Sequence, residues 1–341
     1  MNRLLRPFGL KLGPLQAGAT YFPLHFIAVG IGLTLLIAPH GVGVFWPATG
    51  SLFAFLLLYP PGYWPALAAA AFLAEMLAHA LFAPQIPFAE FGLSFVVKFL
   101  AALLGVWLMQ VSVRGPISFA RLRHVLCFAG AALVSTLVCA FGAVSLRGGA
   151  QFQSPEFWLG VQSWWIGDLL GALIVTPLVL TVGFHGFALT KHARGGTPAT
   201  LAAFLVLILL LGAVFLRGNG AATSPLDVPY IVYPVLVWIA MLSGPRRTAL
   251  AAGITVAMAS LATTRGHGPF DSAYQLQTFL ALCVLPVLLL QAVMSERDDA
   301  IANARSSDER YRAFVANSSE AIFRTELAEP MPVTLSPDEQ V

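Results

Sequence analysis

Apolar residues in this chain run in long unbroken stretches, with polar residues gathered between them. From Tyr21 to Ala38 there is no Asp, Glu, Lys or Arg, and similar stretches recur to Met294. A membrane-spanning helix needs about 20 predominantly apolar residues, with a range of roughly 17–25. On that measure the pattern predicts helices over 20–38, 46–59, 63–82, 88–110, 119–143, 155–182, 199–216, 228–243, 246–264 and 272–294. The second and eighth are short, and if either is re-entrant or half-spanning the number of crossings falls towards eight. The predicted fold is an all-α polytopic membrane protein, a bundle of about ten transmembrane helices with a short cytosolic tail. The first run is too long for a signal-peptide core and lacks a small-x-small cleavage site, so it reads as a retained span.

Charge sharpens this picture. Charged residues make up only 10% of the 341, and mean hydropathy is +0.79, against roughly 25% charged in ordinary soluble domains. Residues 1–294 hold 14 basic and 6 acidic side chains, whereas residues 295–341 hold 5 and 10. That break at Ser295 divides the chain into a cytosolic N-terminal segment (1–19), a membrane domain (20–294), a linker helix (295–310) and a terminal stub (311–341). With a cytosolic N-terminus, the inside segments carry Arg3, Arg6, Lys11, Arg114, Arg121, Arg123, Lys191, Arg194, Arg246 and Arg247. The outside loops carry Arg147, Arg217 and Arg265. This excess predicts both termini inside. The pI near 8.9 then reflects basic loops beside a lipid bilayer and gives no reason to expect nucleic-acid binding. Cys127, Cys139 and Cys283 lie in apolar runs without C-x-x-C spacing and read as buried structural thiols.

Within the spans, charge is expensive: about 2.5–3.5 kcal/mol for Asp or Lys at mid-bilayer on insertion scales. Three residues stand there, Glu75, Lys98 and Asp168, while Glu90 and Glu156 lie near span ends. Glu75 and Lys98 fall at comparable depth on consecutive antiparallel spans, so an ion pair between them is geometrically reasonable. Two readings stay open: the charges hold helices together, or they line a polar cavity for a ligand, an ion or a proton. Asp168 lies between Gly167 and Gly171, whose G-x-x-x-G spacing lets another helix approach closely. Pro177 is expected to interrupt that helix and free backbone carbonyls. Trp46-Pro47 and Trp64-Pro65 each open a span, as interface anchors or, for the first, as part of a ligand site. Glu75 and His79 share a helix face, but zinc usually takes three or four such ligands, so neither a metal nor a cofactor is expected. No phosphate loop, nucleophile elbow or paired-carboxylate site is present, and no enzyme activity is expected of this chain.

Several segments resemble a known pattern. Phe45-Trp46-Pro47-Ala48-Thr49-Gly50 resembles the "vWPptG" segment of the first membrane-associated sensor (MASE) family of bacterial signalling proteins. Trp165-Ile166-Gly167-Asp168-Leu169-Leu170-Gly171, with Thr176-Pro177-Leu178 after it, is similar to that family's "w-x-G-D-x-x-G … x-P-L" segment. Tyr233-Pro234-Val235-Leu236-Val237-Trp238, Gly266-His267-Gly268-Pro269-Phe270 and the stretch from Leu276-Gln277 to Glu296-Arg297 resemble its later segments. The matches run in order over about residues 20–297. Ala48 departs from the pattern, where a second proline is common. Beyond them, Ser307 to Phe323 resembles the opening of a PAS domain, cut off well short of the roughly hundred residues such a domain needs. Met294, Ile301, Ala304, Tyr311 and Val315 fall on a/d-like positions of the intervening helix, with Arg297 and Asp308 in the same seam.

The resemblance implies a sensory input domain in the bacterial inner (plasma) membrane, feeding a histidine kinase or a diguanylate cyclase and phosphodiesterase output. The expected sensing cavity comprises Trp46, Pro47, Thr49, Gly50, Glu75, Lys98, Trp165 and Asp168, with Gly167, Gly171 and Pro177 for packing and hinge. Its stimulus would be a small molecule or a membrane protein, and the linker predicts a homodimer. A small-solute or proton-coupled transporter suits the buried charges and proline-containing helices too, though a transporter has no need of a PAS-like cap. A scaffold for a partner membrane protein is the third alternative.

Overall fold

The structure, a computed structural model, describes residues 12–37, 42–84, 88–115, 117–146, 152–185, 197–216 and 229–317. Arg3, Arg6, Lys11, Arg147, Lys191, Arg194, Arg217 and the PAS-like residues from Ser318 onward lie outside the described residues, as does the side chain of Glu90.

Among the described residues the chain folds into ten α-helices: α1 Pro14–Thr34, α2 Pro47–Leu58, α3 Trp64–Phe82, α4 Phe88–Ser112, α5 Leu122–Leu146, α6 Pro155–His185, α7 Thr197–Phe215, α8 Val232–Leu242, α9 Pro245–Thr264 and α10 Ala273–Asn317. Six of them have proline at the first or second position (Pro14, Pro47, Pro65, Pro155, Pro198 and Pro245), where its missing N–H leaves no intrahelical bond unmade. Between α1 and α2 the short strands β1 (Leu36–Ile37) and β2 (Val42–Gly43) pair antiparallel. Seven helices are long and apolar enough to cross a membrane, while α2 and the Pro229–Leu242 segment are apolar but shorter. The protein is an all-α polytopic membrane protein.

One helix shows a clear division between a lipid-facing and an inward side. On α5, Leu126, Leu133, Val134, Leu137, Val138 and Phe141 are exposed, while Ala129, Ala132, Ser135, Thr136, Cys139 and Ala143 are buried. That is the arrangement expected where lipid surrounds the bundle and close backbone approach drives association. In the first unit, residues 1–296, α1 packs on α3 and α2, α2 on α6, α4 on α5, and α5 and α9 on α6. The short helix α2 is thus the inner element of the N-terminal half, with ten of its 12 residues buried.

One expectation changes here. Pro177 does not interrupt its helix, because α6 continues through it as 31 residues. The two compact units divide between Glu296 and Arg297, inside α10. In the second unit, residues 297–341, the described part is helix to Asn317, and Ile301, Ala304, Tyr311, Phe314 and Val315 are exposed.

Candidate functional site

Six helices bring polar side chains to one buried place. Glu75 on α3 and Lys98 on α4 form its centre: Lys98 Nζ lies 3.1 Å from Glu75 Oε1 and 3.4 Å from Oε2. The Lys98 side chain is 10% exposed and that of Glu75 3%, so the pair is largely withdrawn from solvent, and breaking one half would leave the other an uncompensated charge. The Lys98 ammonium also stands 4.9 Å from the centre of the Trp46 ring, a cation–π contact that favours keeping the charge there.

Asp168 reaches this centre from α6. Thr49 Oγ1, one turn into α2, donates to Asp168 Oδ1 at 2.6 Å. Among the described residues Asp168 Oδ2 has no nitrogen or oxygen partner, and the Cys139 thiol of α5 is a further neighbour of the carboxylate.

From α1, His25 completes the group. Its Nε2 is 3.8 Å from Glu75 Oε1, and its Nδ1 lies 2.9 Å from Tyr21 Oη and 2.8 Å from Ser51 Oγ. His79 Nδ1 donates to the Glu75 backbone carbonyl at 2.8 Å. Among the described residues, no three His, Cys, Asp or Glu side chains are grouped so as to hold a metal ion.

A cavity of about 10 Å³ opens between these groups, with His25, Thr49, Glu75, Lys98, Ser135 and Cys139 on its wall. That is on the scale that holds a single water.

The glycines explain how α2 comes so close to α6. A Cβ on Gly171 would collide with the Trp46 carbonyl, one on Gly50 with the Gly171 carbonyl, and one on Gly167 would stand 2.6 Å from Gly43 O. Gly50, Gly167 and Gly171 therefore form one close seam against the turn that carries Trp46. Backbone and side-chain hydrogen bonds cross it: Trp46 N donates to Gly167 O at 3.1 Å, and Thr176 Oγ1 donates to Gly50 O at 2.9 Å. Pro47 serves as the first residue of α2.

Of the residues singled out in the sequence, Thr49, Glu75 and Lys98 touch the cavity, Asp168 joins it through Thr49, and Trp46 through Lys98. Trp165 is elsewhere: its indole Nε1 donates to Leu133 O at 3.1 Å, tying α6 to α5. Sequence reasoning missed His25, Tyr21, Ser51, Cys139 and Gln277. Gln277 of α10 is fully buried, and its Nε2 donates to Gly43 O and to Ser163 O, each at 3.0 Å. It binds the last helix to both sides of the glycine seam. A lone His or Gln in an apolar run carries no spacing signal, and only the partners across the fold distinguish these two.

A multi-pass helical bundle with a buried charge network has the build of a membrane protein with an internal polar site. The sequence model of one family, MASE1, matches residues 19–298, and the chain belongs to that family, whose members are membrane-associated sensory domains of signalling proteins. Searches of curated proteins and of solved structures returned no match.

Proposed function

We propose that this chain is the integral membrane input of a bacterial signal-transduction protein, and that its stimulus acts on the network around Glu75, Lys98 and Asp168. The observation that carries this reading is the physical continuity from network to last helix. Lys98 contacts Trp46, the Trp46 turn is fixed to α6 at Gly167, and Gln277 of α10 holds Gly43 in the same turn. A stimulus that favours one arrangement of this turn biases α10, by no more than its difference in affinity for the two arrangements. The basic loop residues support an orientation with both termini in the cytosol of a bacterial inner membrane. On this reading α10 leads to a PAS module and a histidine kinase or diguanylate cyclase output, in a homodimer whose linker helices pair.

The test is Asp168→Asn and Lys98→Met in the chain fused in frame to a diguanylate cyclase reporter, with cyclase output measured in cells at matched membrane levels. Altered basal or stimulated output is expected for both. Output unchanged in both variants removes the network from the signalling path. Solute flux into liposomes that depends on Asp168 would move the protein to the transporter class.

A further inference from the structure

The buried network is one positive charge short. It holds two carboxylates, Glu75 and Asp168, against one ammonium, Lys98. With neutral imidazoles its formal charge is −1, and an uncompensated charge among membrane helices is costly. The cavity restricts what can supply the balance. Room for a single water (about 10 Å³) excludes an organic cation, and the described residues offer no three-ligand grouping for a metal.

The hydrogen bonds of His25 point to where the charge goes. Ser51 has one hydroxyl hydrogen, and its Oγ is 2.9 Å from Ala48 O, which can only accept. With that hydrogen given to Ala48 O, Ser51 accepts from His25 Nδ1, 2.8 Å away, and in this arrangement Nδ1 carries a hydrogen. The Tyr21 hydroxyl oxygen lies 2.9 Å from the same nitrogen. Among the described residues the other nitrogen, Nε2, is buried without a hydrogen-bond partner and faces Glu75 Oε1 at 3.8 Å. In a neutral Nδ1–H imidazole that geometry sets a bare lone pair against a carboxylate oxygen. A hydrogen on Nε2 removes the clash of acceptors and supplies the missing charge.

We propose that His25, Glu75 and the cavity beside them form a proton-binding site, in which His25 takes a proton on Nε2 and is held as an imidazolium against the Glu75 carboxylate. The Nε2 lone pair forms the new N–H bond, a hydronium ion gives up the proton, and the water it leaves fits the cavity. This rests on the reading that the network is the stimulus site, and makes a proton the ligand that occupies it. The groups facing His25 or its partner are Tyr21 on α1, Ser51 and Thr49 on α2, Glu75 and His79 on α3, Lys98 on α4, Cys139 on α5 and Asp168 on α6. Because they share charge, the proton belongs to the network, with His25 its resting place.

The test is nitrogen NMR of the full chain, labelled with ¹⁵N-imidazole histidine and reconstituted in lipid nanodiscs, across acid to alkaline pH. His25 is assigned by loss of its signals in His25→Gln. If that variant does not fold, replacing the other six of the seven histidines one at a time assigns it by elimination. The expected result is an imidazolium signal for His25 at acid pH, shifting to the Nδ1–H neutral form as pH rises, and lost at every pH in Glu75→Gln. A His25 ring with one protonated nitrogen at every pH where the chain is folded overturns the proposal. This readout needs no reporter, so it can fail while Asp168→Asn and Lys98→Met still alter output, and the reverse.

Discussion

Thr49 and Asp168 stand 119 positions apart in the chain and are joined by a 2.6 Å hydrogen bond that couples the inner helix α2 to α6. Hydrogen bonds to a charged group contribute about 1.5–3 kcal/mol, and a buried acceptor left alone loses its full solvation. Thr49→Val, which keeps the side-chain shape, is expected to lower stability by about 2 kcal/mol. Denaturation in mixed micelles, read by the tryptophan signal, checks this. Adding Asp168→Asn should make the two effects non-additive, and simple additivity would show that the bond contributes nothing.

The Glu75–Lys98 pair makes a related prediction. Removing one partner of a buried ion pair typically costs about 3–5 kcal/mol because the other is left uncompensated, while replacing both with apolar groups is often close to neutral. Lys98→Met alone should therefore be strongly destabilising, and Lys98→Met with Glu75→Leu should recover most of the loss. Thermal unfolding of the purified variants in one detergent gives the comparison. A double variant no more stable than Lys98→Met would mean that Glu75 needs a partner other than Lys98.

The glycine seam can be tested at one position with an internal control. A Cβ on Gly171 has no room because the Trp46 carbonyl occupies it, whereas a Cβ on Gly130, also helical, meets nothing within 4 Å. Forcing an extra methyl into a closed interface typically costs about 1–3 kcal/mol, and here the obstacle is backbone, which yields less readily than a side chain. Gly171→Ala should lower the unfolding temperature and disturb Trp46, while Gly130→Ala should leave stability equal or raise it by up to about 1 kcal/mol. Equal effects at the two sites would mean that α2 and α6 are not held this closely.

How much of this was legible in the sequence follows from which physical signals survive in one dimension. The helices were readable because lipid demands long apolar runs, and the short second and eighth helices already stood out by length. Glu75, Lys98 and Asp168 were readable because charges are scarce in such runs. The proximity of Gly167 and Gly171 to a neighbour was readable from their spacing, but not that the neighbour is the turn carrying Trp46. His25 was hidden because its partner Ser51 is 26 residues away and a single histidine has no spacing to betray it. Trp165 shares a segment with Asp168, yet helical geometry turns it towards α5, and proximity in sequence placed it with the cavity. Pro177 reads as a break by propensity, but packing on both sides of α6 carries the helix through.

Gln277 offers the sharpest separation between structure and signalling. Its amide nitrogen donates to Gly43 O beside the Trp46 turn and to Ser163 O on α6, so one side chain on α10 holds both. Gln277→Leu keeps the bulk but removes both donors, leaving two backbone carbonyls without this partner at a net cost of about 1–3 kcal/mol. Gln277→Glu retains the shape and one acceptor oxygen but, when ionised, would set a carboxylate against those carbonyls, so it should be worse than leucine. If α10 takes its position from the Trp46 turn, both variants should also uncouple the reporter cyclase from Lys98→Met, so that the lysine substitution no longer changes output. The measurement is cyclase activity in the single and double variants at matched membrane levels. Should Lys98→Met act equally in the presence and absence of Gln277, the route from the network to α10 runs through other contacts, and Gln277 serves packing alone.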